Sequence, residues 1–289
     1  MIKLSIYGFW PDFNYEDNFF KSLFQDIYGK DFSYTTNPYE SNLCLIGENL
    51  VPPNLDRSKT KLISHIAEPK DPFYDTAEYH FTFDPTDLNR GNIRLPLWMI
   101  YINRYNLVSN QNPILPVNVN NLQNNEWYNT PKTSFCITPF SAVHKNRIEF
   151  WQTLNTYKKT DGFGLPFGNG DHERNQLKKY YVISPYKFCM AYENTNKLGY
   201  VTEKILQAKT SGCIPIYWGS EYVLKDFNPN SFIYVNNFNS IHDVLEYVKM
   251  VDNDESLYQT IHNSPIFHYN IKLNKQFHYE SSNNYITRS

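Results

Sequence analysis

Short apolar runs alternate with polar turns along the whole chain, and their spacing switches between the two-residue period of strands and the 3.6-residue period of helices. Residues 2–8, IKLSIYG, read as a first strand that ends at Phe9-Trp10-Pro11. From Tyr15 to Tyr28 the apolar positions Phe19, Phe20, Leu23 and Ile27 fall on one helical face. Residues 32–36, 42–47, 62–66 and 80–83 read as further short strands. The second half repeats the alternation. A strand at 134–138 precedes a helix from Asn146 to Tyr157 with Ile148, Trp151 and Leu154 on one face, and 162–170, GFGLPFGNG, reads as a glycine and proline loop. A helix-like stretch runs to about Tyr181, followed by strand, polar loop, helix and strand between Tyr186 and Ser220. A strand at 232–235 precedes a helix opened by Ser240, with Ile241, Val244, Leu245 and Val248 on one stripe and Asp243 completing a capping box.

Strands alternating with helical segments predict an α/β fold with open, mostly parallel sheets. A chain of 289 residues suits two domains. The Asn-rich stretch Asn110–Asn129 is the expected join, giving halves 1–125 and 126–289. The polar, aromatic tail from Asn274 is expected to be loosely held or to lie back across the N-terminal half.

Composition narrows the classes. Hydrophobic residues make up 41% and aromatics 17%, enough for buried cores, so wholesale disorder is excluded. The formal net charge of −2 supplies no global basic field, and no nucleic-acid partner is expected. The cysteines at 44, 136, 189 and 213 form no C-x-x-C pair and no zinc-finger spacing, so free buried thiols and a reducing compartment are expected. No signal peptide and no apolar run of transmembrane length is seen, which predicts a soluble, cytoplasmic protein. The D-x-D letters at 252–254 follow an amphipathic helix and read as a solvated turn, so no metal site is expected.

The stretch YKFCMAYENTNKLGYVTEKILQAKTSGCIPIYWGS, 186–220, carries the clearest chemistry. Its first strand breaks at Glu193-Asn194, and the loop that follows closes at Gly199-Tyr200. Thr202 is positioned to cap a helix with Glu203 and Lys204 in its first turn and Gly212 just past its end. A helix N-terminus beside a lysine suits an anion such as a diphosphate. For an arbitrary lysine a solvated outer face is the commoner fate. Glu193 is a candidate for holding the loop, and Tyr217 and Trp218 are expected in the core.

The succession YENT, YVTEKI, IPIYWGS and KDFNPNSF resembles the donor-binding signature of the α-1,3/4-fucosyltransferases, glycosyltransferase family 10, and of these the bacterial Lewis-antigen type. The resemblance implies a GT-B architecture, two Rossmann-like domains facing across a cleft, with an acceptor-side N-terminal domain and a donor-binding C-terminal one. It implies inverting transfer of fucose from GDP-fucose to a glycan hydroxyl of the N-acetylglucosamine or glucose type in α-1,3 linkage, with no cofactor and no metal. It places Lys204 and Arg147 on the donor diphosphate, the latter because HKNRIEFWQTLNTYKKTDG resembles the family's arginine-bearing stretch. Glu193, Asn194, Tyr200, Thr202 and Glu203 fall in the same donor-site run. The ending TDGFG departs from the family's DSGG. The general base of the bacterial members is the glutamate of a GEN tripeptide. GENLVPPN at 47–54 offers Glu48, but counting back from Phe83-Asp84 registers the base on Glu68, in HIAEPKDP. Glu48 would then fall in a separate loop. Two rival readings stay open: a same-fold transferase using another nucleotide sugar, and a non-catalytic protein that binds nucleotide sugar or glycan. No glycosidase-type carboxylate pair is evident, and without heptad repeats before Ser289 a monomer or weak homodimer is expected.

Overall fold

A computed structural model describes residues 1–11, 13–101, 122–169 and 176–268. Two parallel sheets follow one another along the chain. The first contains β1 (Ile2–Tyr7), β2 (Phe32–Tyr34), β3 (Leu43–Gly47), β4 (Lys61–His65), β5 (Tyr79–Thr82) and β6 (Asn92–Arg94), in the order β2-β1-β3-β4-β5-β6. β3, LCLIG, is buried at every position, as expected of a parallel strand covered on both faces. Between β1 and β2 lies α1 (Phe19–Tyr28), which packs Phe19, Phe20, Leu23 and Phe24 onto the sheet. It starts later than the apolar pattern because Asn18 caps it, accepting from the Lys21 N–H.

After α2 (Leu97–Tyr101), the second sheet holds β7 (Ser134–Pro139), β8 (Thr160–Phe163), β9 (Tyr186–Tyr192), β10 (Ile214–Trp218) and β11 (Ile233–Tyr234), in the order β11-β10-β9-β7-β8. Its helices are α3 (Lys145–Asn155), α4 (Gln176–Ile183), α5 (Lys204–Thr210), α6 (Val223–Asp226), α7 (Ile241–Asn253) and α8 (Glu255–Asn263). In both sheets the chain leaves one strand toward one edge and returns on its other side. The strand order reverses between β1 and β3 in the first sheet and between β7 and β9 in the second. Such reversals open crevices at the carboxyl ends of the strands, where ligands of open α/β sheets bind. With its two α/β halves, the fold is of the GT-B type.

Several sequence expectations are corrected here. The expected loop begins two residues late: Gly162 and Phe163 end β8, which pairs with β7 from Cys136↔Thr160 to Pro139↔Phe163, and the described residues 164–169 form the loop. Gly162 is needed there because a Cβ would lie 2.2 Å from the Phe167 ring. Asp252 is no solvated turn residue. It lies in the last turn of α7, its side chain 2% exposed, bonded by Lys158 and Lys187. The buried stripe of α3 is Arg147, Phe150 and Leu154, whereas Ile148 and Trp151 are only half-buried. Ile241 is exposed, while the capping box forms, Ser240 Oγ accepting from the Asp243 N–H and donating to its carboxylate. The four cysteines are free and buried. Among the described residues no helix is long and apolar enough to cross a membrane. Of the expected Asn-rich join, residues 122–129 are described, and Leu122 and Trp127 pack into the second half's core. The tail from Asn274 lies outside the described residues.

The halves are fixed to each other by a buried fork. Arg94, at the end of β6, donates through Nη1 and Nη2 to the two Asp226 oxygens at 2.8 and 2.7 Å, and through Nη2 and Nε to the Gly199 carbonyl. Trp98 Nε1 donates to the same carboxylate at 3.0 Å. Phe83 meets Tyr200 edge-on across the junction at 4.6 Å. A Cβ on Gly199 would strike the Phe83 carbonyl at 1.8 Å, so the halves approach there to backbone distance. Arg94→Ala would leave Asp226, 8% exposed, without its cation, and we expect a loss of ~3 kcal/mol or more. Arg94→Lys should recover little of it, because an ammonium cannot span both oxygens. Urea unfolding of both variants measures this, and unchanged midpoints would refute it.

Candidate functional site

The site is assembled from the loops at the reversal between β7 and β9 in the second sheet and from the loops that follow β3 and β4 in the first. β9 ends at Tyr192, and the next residue, Glu193, has no exposed surface. Its carboxylate accepts from the Thr202 backbone N–H at 2.8 Å and from the Thr202 hydroxyl at 2.8 Å. It also accepts from Lys204 Nζ at 3.1 Å and, at 3.4 Å, from the Tyr217 hydroxyl. Loop 194–201 is thereby folded back against the sheet. Thr202 is not the helix cap expected from its position. α5 begins at Lys204, its cap is Glu203 in helical conformation, and Glu203 makes no side-chain capping bond. The Thr202 hydroxyl is instead occupied between the Glu193 carboxylate and the Lys204 ammonium, from which it accepts at 2.9 Å.

Lys204 stands at the first position of α5, its side chain 21% exposed. Burial works to depress its pKa, but Glu193 and Glu203 outweigh it and the net shift is upward, so the ammonium is kept. Burial likewise opposes ionisation of Glu203, and Lys204 and Lys179 overcome it, leaving the carboxylate below its ordinary range. Arg147 comes from the first turn of α3, beyond the end of β7, and is 2% exposed. Its Nη2 donates to the Tyr192 carbonyl at 2.6 Å and to Asn194 Oδ1 at 2.8 Å, and Nη1 donates to the Ala142 carbonyl at 3.3 Å. Its Nε–H is buried and has no hydrogen-bond partner among the described residues. Arg147 and Asn194 thus meet at the reversal between β7 and β9. Tyr200 is buried against Phe83, which with Glu193, Glu203 and Glu68 nearby pushes its phenol well above the ordinary range.

In the first half, Glu68 lies in the loop after β4 and is exposed. Partial burial raises its pKa, Glu48 adds to the rise, and Lys204 and Lys70 oppose it. Glu68, Glu203 and Lys204 therefore lie within one another's electrostatic reach although they come from different halves. Glu48 lies in a separate loop, directly after β3, but that loop packs against the one that carries Glu68. β3 and β4 are neighbours, and the Glu48 carboxylate accepts from the Ala67 N–H at 3.1 Å and from Lys70 Nζ at 3.0 Å, so both glutamates belong to one loop cluster.

Four residues near the site escape sequence reasoning. Lys197, inside the Asn194–Tyr200 loop, donates to the Lys70 carbonyl at 2.7 Å and to Asp71 at 2.8 Å, tying the loop of the second half to the Glu68 loop of the first. Lys179 of α4 donates to Gln207 and lies in the field of Glu203, Lys204 and Arg147. His144 precedes α3, where burial, Arg147 and Lys204 all lower its pKa. Tyr101, at the end of α2, lies near Glu203 and Glu68. Only His144, three positions before Arg147, had a signal in the sequence. The others become neighbours through chain crossings. Tyr217 is fully buried, as expected for core, whereas Trp218 is half-buried and stacks on Tyr192. Among the described residues no group of three His, Cys, Asp or Glu side chains converges as for a metal ion.

This arrangement has counterparts. The profile of "Glycosyltransferase family 10 (fucosyltransferase) C-term" matches residues 129–284. The chain is 28% identical over 286 residues to the alpha-(1,3)-fucosyltransferase FucT of Helicobacter pylori, covering 89% of this chain and 58% of that protein. It is 30% identical over 119 residues to the mouse 4-galactosyl-N-acetylglucosaminide 3-alpha-L-fucosyltransferase 9, covering 40% of this chain and 32% of that protein. It therefore spans less than two thirds of the length of these relatives. Crystal structures of an alpha1,3-fucosyltransferase with GDP and with GDP-fucose share its fold, each at a TM-score of 0.67 and 24% identity over 92% of this chain and 82% of theirs. The matched profile covers over half of the chain, including Arg147, the Glu193–Lys204 run and the whole second sheet, and by it the protein belongs to glycosyltransferase family 10.

Proposed function

We propose that this protein is an inverting fucosyltransferase that moves fucose from GDP-fucose to a glycan hydroxyl of the N-acetylglucosamine or glucose type, in α-1,3 linkage. The second half, into whose core Leu122 already packs, is the donor-binding half, and the first half is the acceptor side. The observation that carries the reading is the convergence of Arg147 and Lys204 at the carboxyl ends of the second sheet, facing Glu68 on the other half.

In this reading the two cations take the charge that develops on the departing GDP, and Arg147 also fixes Asn194 so that its amide can reach ribose or phosphate oxygens. Lys204 is fixed by Glu193 and Thr202 before the donor arrives, so little reorganisation accompanies bond breaking. Glu203, held ionised, accepts from sugar hydroxyls. Tyr200, with its phenol kept protonated, forms the junction wall. Glu193 and Thr202 serve the site by building its floor. Glu68 takes the proton of the acceptor hydroxyl as oxygen attacks the anomeric carbon from the face opposite the diphosphate, and a single displacement inverts configuration. The hydroxyl becomes acidic only as its bond to carbon forms, so a carboxylate suffices as base. The four buried free thiols support a reducing, cytoplasmic setting.

Binding is tested by melting the protein with GDP, UDP and dTDP compounds. GDP and GDP-fucose should raise the melting temperature, since a ligand held by the folded state adds RT ln(1 + [L]/Kd) of stability. No response to any guanine nucleotide would remove the donor assignment. Arg147→Ala and Lys204→Ala should each lower kcat/KM for GDP-fucose about 10²–10³-fold. Wild-type turnover in both would overturn the diphosphate roles.

Glu68→Gln should lower kcat about 10²–10⁴-fold while leaving the donor KM near wild type. Because burial and Glu48 raise the Glu68 pKa, protonation silences the base at a higher pH than for an ordinary glutamate. The wild-type rate should therefore climb with pH through a limb displaced upward from that of an ordinary glutamate. A kcat profile flat from pH 4 upward would contradict this.

A further inference from the structure

The turn that carries Glu48 has a strained backbone. The Leu50 N–H donates to the Gly47 carbonyl at 2.9 Å, and the two residues between, Glu48 and Asn49, both have positive φ, 50° and 62°. This is the turn geometry that favours Asn and Gly, and a glutamate at its first central position is strained. The strain has an identifiable consequence. With this backbone the Glu48 carboxylate points across to the end of β4, where one oxygen accepts from the Ala67 N–H at 3.1 Å and the other from Lys70 Nζ at 3.0 Å. Asn49 Oδ1 accepts from the Ser64 hydroxyl at 2.6 Å, and the Glu48 N–H donates to the His65 carbonyl at 2.9 Å, so the turn is pinned to β4 throughout. Ala67 and Lys70 bracket Glu68. From the far side, Lys197 holds the same loop by the Lys70 carbonyl and the Asp71 carboxylate.

We propose that Glu48 is a positioning residue for Glu68: its strained turn and its two bonds to Ala67 and Lys70 fix the loop that presents the Glu68 carboxylate to the acceptor. The inference rests on the reading of Glu68 as the base. The Glu48 charge has a second effect, holding the Glu68 proton more tightly. The other groups acting on Glu68 are Lys70 from its own loop and Lys204 and Glu203 from the start of α5, with the Tyr101 phenol from α2 and the Tyr200 phenol from the donor loop beside them. Removing one negative charge from this set lowers the pH at which the base ionises.

The test compares Glu48→Ala, Glu48→Gln and Glu68→Gln for kcat, donor KM, pH profile and melting temperature with GDP. Glu48→Ala should lower plateau kcat about tenfold or more through misplacement of the base, with donor KM and the GDP-induced melting shift held. Glu48→Gln keeps an oxygen for the Ala67 N–H and should recover most of that loss. Its acid limb should still move to lower pH by about half a unit, the effect of one water-screened charge. A loop filler without influence on the base would not move the limb. Wild-type kcat and pH profile in Glu48→Ala, with Glu68→Gln inactive, would overturn the positioning role and leave the base assignment standing. Wild-type activity in Glu68→Gln would remove the base assignment and this inference with it.

Discussion

A carboxylate with no access to water organises the donor half of this molecule. Glu193 sits directly after the central strand β9, and leaving its charge unpaired in the interior would cost several kcal/mol. Its demand for donors is met by Thr202 and Lys204, nine and eleven residues further on, and only a loop folded tightly between them can supply both. That fold puts Asn194 beside Arg147, Tyr200 against the other half, and Lys204 at the head of α5. The residues that face the cleft are thus placed by one that does not. Within the second half alone, the cations Arg147, Lys179 and Lys204 set against the carboxylates Glu193 and Glu203 leave one positive charge in excess, a field suited to an anion.

The second constraint is the junction. Acid–base work on one substrate and charge stabilisation on another require the two half-sites to hold a fixed distance, because an error of about 1 Å between reacting groups costs rate steeply. Here the register is set by a buried arginine fork, Arg94 on Asp226, and repeated at the rim by Lys197 on Asp71. Both contacts involve the Asn194–Tyr200 loop, the first through the Gly199 carbonyl and the second through Lys197 itself.

The alternation of elements is legible in the sequence because buried parallel strands write continuous apolar runs and the helices write stripes. LCLIG, FCMAY and IPIYW are examples. What cannot be read there depends on chain crossings. β8 looks like a loop because its glycine is there for a phenylalanine ring five residues away. Asp252 looks solvated because its two lysines lie far back in the chain, at 158 and 187. The YENT…YVTEK run identifies the donor segment, yet the role of Thr202 differs from its cap-like position, since the hydroxyl is drawn to a charge instead of to free helix N–H groups. Glu48 and Glu68 appear independent along the chain, twenty residues apart, and only the pairing of β3 with β4 makes them neighbours.

Arg147 shows how a buried charge can disguise a helix. The apolar letters of α3 suggest a stripe through Ile148 and Trp151, but the helix is turned so that Arg147, Phe150 and Leu154 face inward. No hydrophobic gain explains turning a guanidinium into the core. Its hydrogen bonds go to two carbonyls and one amide, all uncharged, and its Nε–H goes to nothing among the described residues. Burial lowers its pKa, but a guanidinium keeps its proton in proteins, so the charge is carried into the interior and only partly balanced by Glu193 and Glu203 at longer range. A site so arranged is incomplete by itself: a planar cation, held rigid by neutral acceptors at a strand-order reversal, with a donor left over. A phosphate oxygen would supply both the missing acceptor and the missing charge, and in the proposed reading the incompleteness that burdens the folded protein is what an anionic donor would be bound by.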